Sequence, residues 1–284
     1  VQRDLDGDFA LAFLTEPAPA YGTPEPIAPR LRRLVAPNPG PMTYHGTNTW
    51  LVDSAEGLVV IDPGPDDAAH VAALLLATGG AIRAIVLTHT HSDHVGAAPA
   101  LRQATGAPVL GWGKPYQAGF VPDRALADGE AAYGLTAIHT PGHASDHLCF
   151  AWENGVLFSG DHVMSWNTSI VSPPDGDMAA YLDSLRRLMA REDRVFYGGH
   201  GPVLANPQAL MRAMLGHRLS REAAVLAALE AGAATPADIV DKLYAELDPR
   251  VKLAAERTVL AHLIKLQKEG RTGWSVPLPP DAPS

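Results

Sequence analysis

Cysteine is almost absent from this chain: Cys149 is the single one in 284 residues. No internal disulfide can form, and Cys149 lies in the apolar run Leu148-Cys149-Phe150-Ala151-Trp152, which reads as core. Long hydrophobic runs are also missing. None approaches the ~18 residues of a membrane span, so no membrane partner is expected. The opening Val1-Gln2-Arg3-Asp4-Leu5-Asp6 has acids and no basic segment leading into an apolar stretch, unlike a secretory signal; the cytoplasm is the expected compartment. No glycine-rich phosphate loop with its flanking strand and helix occurs, so no nucleotide cofactor is signalled. Positive charge is in deficit, 22 Lys plus Arg against 31 Asp plus Glu for a net −9. That balance argues against a surface that binds nucleic acid everywhere, while leaving room for a local basic groove.

What the chain does have is apolar residues, 46% of the total, enough for a sizeable core in one large or two smaller domains. It also has a dense group of ligands. His89-Thr90-His91-Ser92-Asp93-His94 places three imidazoles and a carboxylate in six residues, directly after the strand-like run Ala84-Ile85-Val86-Leu87. Residues i and i+2 at a strand end point the same way, so His89 and His91 can hold one ion together. Asp93 and His94 lie past the turn, where the pattern becomes helical over 95–105, and can reach a second ion. Further ligand candidates come after other strand patterns: His143 after 135–138, Asp161 after 156–158, and His200 after 195–197. Glycines beside these positions let chain segments crowd around an ion.

His89-x-His91-x-Asp93-His94, His143, Asp161 and His200, in this order and approximate spacing, resemble the metallo-β-lactamase superfamily over about residues 33 to 205. The resemblance implies His89, His91 and His143 on one metal, Asp93, His94 and His200 on the other, and Asp161 bridging them. Two divalent ions are therefore expected. Nitrogen and oxygen ligands suit zinc, the default ion, and also accommodate iron, manganese or nickel. Two such ions roughly 3.5–4 Å apart lower the pKa of a water held between them toward ~7. Metal-assisted hydrolysis is the expected chemistry, with Asp93 orienting the nucleophile. Asp62, ending the apolar strand Val59-Val60-Ile61, resembles the superfamily's early Asp that helps hold the metal-binding loop. Asp146 and His147 read equally well as a satisfied structural pair, and His139 as a packing or surface residue.

The implied fold is α/β, an αββα metallo-β-lactamase sandwich at 31–206. It comes after a Pro-rich arm at 1–30, whose residues 15–30 hold five prolines. Strand patterns at 48–52 and 58–61 bracket a turn, 67–77 looks helical, and 149–158 reads as a hairpin around Asn154-Gly155. From 207 to 284 the pattern turns helical: one or two helices over 208–231, a Thr235-capped helix to Leu247, and another over 252–269. A sharp turn comes next at Gly270-Arg271-Thr272-Gly273-Trp274. Three helices and a short hairpin resemble a winged-helix module. Between Arg221 and Ser284 there are eight Lys plus Arg against nine Asp plus Glu, which is not a phosphate-binding footprint. Packing or homodimer formation is an equal role for this module.

The tail, with Asn38-Pro39-Gly40-Pro41, Gly46-Thr47-Asn48-Thr49 and His217-Arg218, is similar to the β-lactamase-like protein 2 family. That resemblance implies single-stranded RNA as one substrate. Residues 162–168 and 173–177 depart from the pattern of a close relative of the ribonuclease, and are expected to line the cleft. Three function classes result. The first is hydrolysis of a small-molecule ester, thioester or lactone, with His162 protonating the leaving group and Trp166 and Tyr181 contacting substrate. The second is a metal-dependent endoribonuclease. The third is a non-hydrolytic di-iron or regulatory metal protein, disfavoured because di-iron flavoproteins of the superfamily place Glu where His91 stands.

Overall fold

In the computed structural model, which describes residues 11–245 and 248–275, two mixed sheets lie face to face. The first takes its strands in chain order: β1 (Glu25–Ala28), β2 (Leu31–Val35), β3 (Asn48–Ser54), β4 (Gly57–Ile61), β5 (Ala84–Val86), β6 (Val109–Trp112) and β7 (Arg124–Leu126). The first four pair antiparallel, and β4 to β7 run parallel, with helices in the crossovers from β4 to β5 and from β5 to β6 and a loop in that from β6 to β7. The helices are α1 (Ala68–Thr78), capped by Asp67, and α2 (Ser92–Val95) with α3 (Ala98–Thr105). The second sheet holds β8 (Ala131–Ala132), β9 (Leu135–His139), β10 (Leu148–Trp152), β11 (Val156–Gly160), β12 (Val195–Gly198) and β13 (Leu204–Ala205). Its one parallel pair is β11 with β12, joined across α4 (Met178–Met189).

Side chains alternate across both sheets, and both faces of each are buried. Trp50, Val52, Val59 and Ile61 meet Phe150, Phe158 and Tyr197 between the sheets. Their neighbours Leu51 and Val60 face the other way, against α1 and α3. On the far side, Cys149 and Leu157 pack under Leu182 and Leu185 of α4. The arrangement is an αββα sandwich.

Beyond the sandwich come three helices: α5 (Gln208–Glu230), α6 (Pro236–Leu243) and α7 (Pro249–Lys268). The segment 208–231 is one helix, and α6 opens with a Thr235–Asp238 capping box. Val225, Ile239, Val240, Val259, Leu263 and Leu266 close a small core of their own, while Met211, Met214 and Ala261 join the core under α4. Several expectations change. The helix expected over 95–105 breaks between α2 and α3, and α6 stops at Leu243, ahead of Leu247, which lies outside the described residues. Residues 270–275 turn without forming a strand, and the rest of the expected hairpin, at 276–284, is also outside the described residues. The expected arm contributes an edge strand, β1, and buried Arg33 ties it down through Glu16 at 2.9 Å and Glu25 at 2.7 Å. No helix among the described residues is long and apolar enough to cross a membrane.

Candidate metal centre

The C-terminal ends of β4, β5, β9, β11 and β12 meet at one edge of the sandwich. There the chain turns Asp62, His89, His91, His143, Asp161 and His200 toward one another, while α2 supplies Asp93 and His94. The sequence motif is legible here as geometry. Strand ends are where a sheet can present polar side chains without breaking its own hydrogen bonds.

Five imidazoles each commit one nitrogen outward. His89 Nδ1 lies 3.0 Å from Thr88 Oγ1, His91 Nε2 3.2 Å from Asp175 Oδ2, and His94 Nδ1 2.9 Å from Asp62 Oδ2. His143 Nδ1 donates to the Ile170 carbonyl at 2.7 Å, and His200 Nδ1 to that of Gly46 at 3.1 Å. With those protons placed outward, each ring, when neutral, turns a lone pair inward. Yet His91 Nδ1 sits 3.0 Å from His89 Nε2 and 3.1 Å from His143 Nε2. Three acceptors at such distances have no proton to share and call for a cation.

A second group is equally close. His94 Nε2 lies 3.6 Å from Asp93 Oδ2 and 3.5 Å from Asp161 Oδ1, and His200 Nε2 lies 3.3 Å from Asp93 Oδ2 and 3.4 Å from Asp161 Oδ2. Ligands roughly 2.0–2.2 Å from a shared ion at tetrahedral angles stand about 3.4 Å apart. His94 Nε2, His200 Nε2 and Asp161 Oδ1 are buried without a hydrogen-bond partner, the pattern an ion would complete. A Cβ on Gly199 would come within 2.4 Å of Asp161 Oδ1, so glycine is needed to let the cluster close. The residues fit two ions, Asp161 reaching both groups through its 3.7 Å approach to His143 Nε2.

Electrostatics separate the two groups. Burial, then neighbouring His91, push His143 down to about 4, and burial with His94 and His91 lowers His89 as well, so these two imidazoles are neutral and ready to ligate. Burial opposes charge on His200, but Asp161 and Asp93 outweigh it and raise the imidazole to about 9; Asp161, Asp93 and Asp62 likewise raise buried His94. Against their own burial, His200 and His94 hold Asp161 far below the usual carboxylate range, and the same two imidazoles lower Asp93. Without metal, a proton occupies His200 below pH about 9 and must leave before the nitrogen ligates. Affinity at the Asp93–His94–His200 group should rise with pH up to about 9, by up to ~100-fold per pH unit where both raised imidazoles must lose a proton, and more steeply than at the group that holds His89 and His143, which are lowered. Stepwise competition titration with a chelator measures both. Parallel slopes would contradict this assignment.

Asp62 holds the loop as expected, and more fully: it takes the Thr88 N–H at 2.7 Å and hydroxyl at 2.6 Å while it orients His94. Its φ of 51° is a left-handed conformation that aspartate tolerates better than most residues. His147 and Asp146 are partnered: His147 Nδ1 bonds Thr140 at 2.8 Å and its Nε2 accepts from Asp161 N–H, while Asp146 holds Thr90 and the Tyr116 N–H. His139 stacks on Trp112, away from the site.

Above the cluster opens a cleft of about 550 Å³ that touches His91, Asp93, His143 and Asp161. Trp166 lines it and packs on Tyr44. His162 and Tyr181, expected to meet substrate, do not line it. Both are fully buried: the His162 ring lies 4.6 Å from the Tyr181 ring, and the Tyr181 hydroxyl donates to the His162 carbonyl at 3.2 Å. Burial pushes His162 down to about 3, so it is uncharged near neutral pH and is no general acid there. Sequence reading missed Asp175 as the partner of His91, and α7 as a wall of the cleft through Arg250, Leu253, Ala254 and Arg257. It also missed Arg218 of α5, buried over the Tyr181 ring and donating to the Ser169 carbonyl, while the Ser169 hydroxyl holds the backbone carbonyl of Asp161.

Residues 42–111 and 113–200 match the metallo-beta-lactamase superfamily, and residues 235–273 match the beta-lactamase associated winged helix domain. The chain is 32% identical to the lactamase-like protein adaB of Aspergillus niger, over 88% of this chain and 84% of the relative. It is 30% identical to an atrochrysone carboxyl ACP thioesterase of Passalora fulva, over 89% and 80%. It is also 30% identical to a beta-lactamase-like protein 2 homolog of Drosophila melanogaster, over 84% and 88%. Among solved structures, a metallo-beta-lactamase family protein from Thermus thermophilus superposes with a TM-score of 0.74 at 25% identity, over 88% of this chain and 97% of that one.

Proposed function

Since the chain belongs to the metallo-β-lactamase superfamily and is a hydrolase of that fold, we propose that it hydrolyses an acyl thioester with two divalent ions, zinc by default. The observation that carries this reading is the lining of the cleft. Met42, Met164, Trp166, Ile170, Pro173 and Pro174 make most of its wall apolar, as an acyl chain requires. Among the described residues that line it, only Arg250 and Arg257 are Lys or Arg, and Arg250 is already clamped by Asp248 at 2.6 Å. A strand of RNA needs a longer track of cations. The thioesterase relative acts on an acyl group held through sulfur, which fits the same lining.

Two ions in the His/Asp groups would polarise a carbonyl and supply a hydroxide-like nucleophile near neutral pH. The chain does the rest. His91 is held in register by Asp175, and His94 by Asp62, so the ligand nitrogens need no rearrangement. Asp93, which lines the cleft, would accept a hydrogen bond from the attacking water and so orient it. The apolar wall excludes other water from the acyl carbon.

Metal-quantified protein offered a panel of acyl thioesters, esters, lactones and a fluorogenic single-stranded RNA tests the reading. Thioesters should be cleaved with kcat/KM at least about tenfold above the matched oxygen esters, and RNA should stay intact. RNA cleavage with thioesters untouched would make the enzyme an endoribonuclease instead.

A further inference from the structure

Helix α7 gives the cleft one face of its first half: Arg250, Leu253, Ala254 and Arg257, spaced so that they share a side. The two arginines differ. Arg250 spends its guanidinium on Asp248, with bonds of 2.6 to 3.1 Å. Arg257 makes one bond, from Nη1 to the Pro173 carbonyl at 3.3 Å, and no carboxylate among the described residues pairs with it. The acids that line the cleft cannot serve it: Asp93 and Asp161 belong to the metal groups, and Asp175 holds His91 and the Ser145 N–H. An unneutralised guanidinium at the rim, next to Leu253 at 66% exposure, faces whatever enters.

We propose that Arg257 recognises a phosphate on the thiol side of the substrate, so that the thioester is one of a pantetheine phosphate, borne either by coenzyme A or by a carrier protein. This rests on the thioester reading above. The acyl chain occupies the apolar wall at Met164, Trp166 and Ile170, and the thiol arm leaves along α7 past Leu253. Its phosphate meets the planar fork of Arg257, a geometry suited to phosphate oxygens. Arg257 thus selects the substrate by the group it departs with, at a distance from the bond that breaks.

Full-length, metal-loaded protein should be assayed with octanoyl-4′-phosphopantetheine and octanoyl-pantetheine, which differ only in the phosphate. Arg257→Ala should raise KM for the phosphorylated thioester by ~10- to 100-fold at similar kcat, with at least about a tenfold smaller effect on the other. Arg257→Lys should recover part of the loss, and Arg250→Ala should change the preference by less than about threefold, since Asp248 already holds that charge. Equal losses on both thioesters would make Arg257 a brace for the Pro173 loop and overturn the proposal. Octanoyl-coenzyme A and an octanoyl carrier protein, run in parallel, show which bearer depends more on Arg257. Calorimetric titration of 4′-phosphopantetheine against pantetheine reads the same preference without turnover. If the wild type cleaves no thioester, the functional reading fails while binding still judges Arg257, and equal binding of the two thiols rejects it.

Discussion

Exchange of Asp161 for asparagine lowers turnover of any productive substrate by about 10³-fold or more and leaves one tightly held ion per chain in place of two. The reason is its position between the two ligand groups. Oδ2 stands 3.7 Å from His143 Nε2 and 3.4 Å from His200 Nε2, and Oδ1 stands 3.5 Å from His94 Nε2. An amide offers one neutral oxygen where two charged ones are needed, and turns N–H donors toward imidazole nitrogens or a cation. The three-histidine group keeps its ligands and its ion. The fold also survives, because the backbone of Asp161 is held independently by Ser169 and His147. Elemental analysis beside kcat/KM and a circular dichroism melt makes the comparison. A variant that binds two ions tightly and keeps more than about a tenth of its turnover rules out a bridging role for this carboxylate.

The residues of the candidate metal groups are legible in the sequence because most of them follow an apolar strand and Asp93 and His94 open the short helix after one. A buried strand is an apolar run, the residue after it sits at the sheet's end, and a histidine or aspartate there has little structural reason to exist. The same locality misleads at His162. It comes directly after Asp161, but the chain turns there beyond the end of β11, and the buried His162 ring packs on Tyr181 of α4. Tyr181 lies on the buried face of that helix with Leu182 and Leu185, and its one polar contact is with backbone. Asp175 reads as a loop residue because its partner His91 is 84 positions away and no periodicity links them.

Fold class is similarly uneven. Apolar runs locate the strands, but residues such as Trp50, Leu51 and Val52 are all buried, so no alternation of polarity says which side meets the other sheet. The glycine-bearing hairpin at Asn154-Gly155 is visible because both residues take positive φ, 61° and 71°. The junction with the C-terminal helices is invisible. Their amphipathic faces read as an independent module, whereas α5 divides its apolar residues between its own small core and that of the sandwich.

That division makes the sandwich dependent on the helices. A chain ending at Asn206 should fail to fold to a metal-binding state, although the whole superfamily match at 42–200 is retained. Leu210, Met211 and Met214 are buried against Leu182, Leu185 and Leu188, and removing them exposes both sides of the contact. Each such side chain is worth about 1.5–3 kcal/mol, so the first three alone remove about 5–9 kcal/mol, comparable to the total stability of many domains. The loss reaches the metal site through a second route. Arg218 holds the Ser169 carbonyl, and the Ser169 hydroxyl holds the carbonyls of Asp161 and His162, so α5 anchors the loop that carries the Asp161 carboxylate. Arg218→Met separates the two effects. It keeps most of the buried volume and should lower the melting temperature modestly, but weaken the second ion by about 10- to 100-fold, the range for groups that orient ligands. If the truncated chain melts cooperatively and binds two ions as tightly as the full one, the helices are an appendage rather than part of the site.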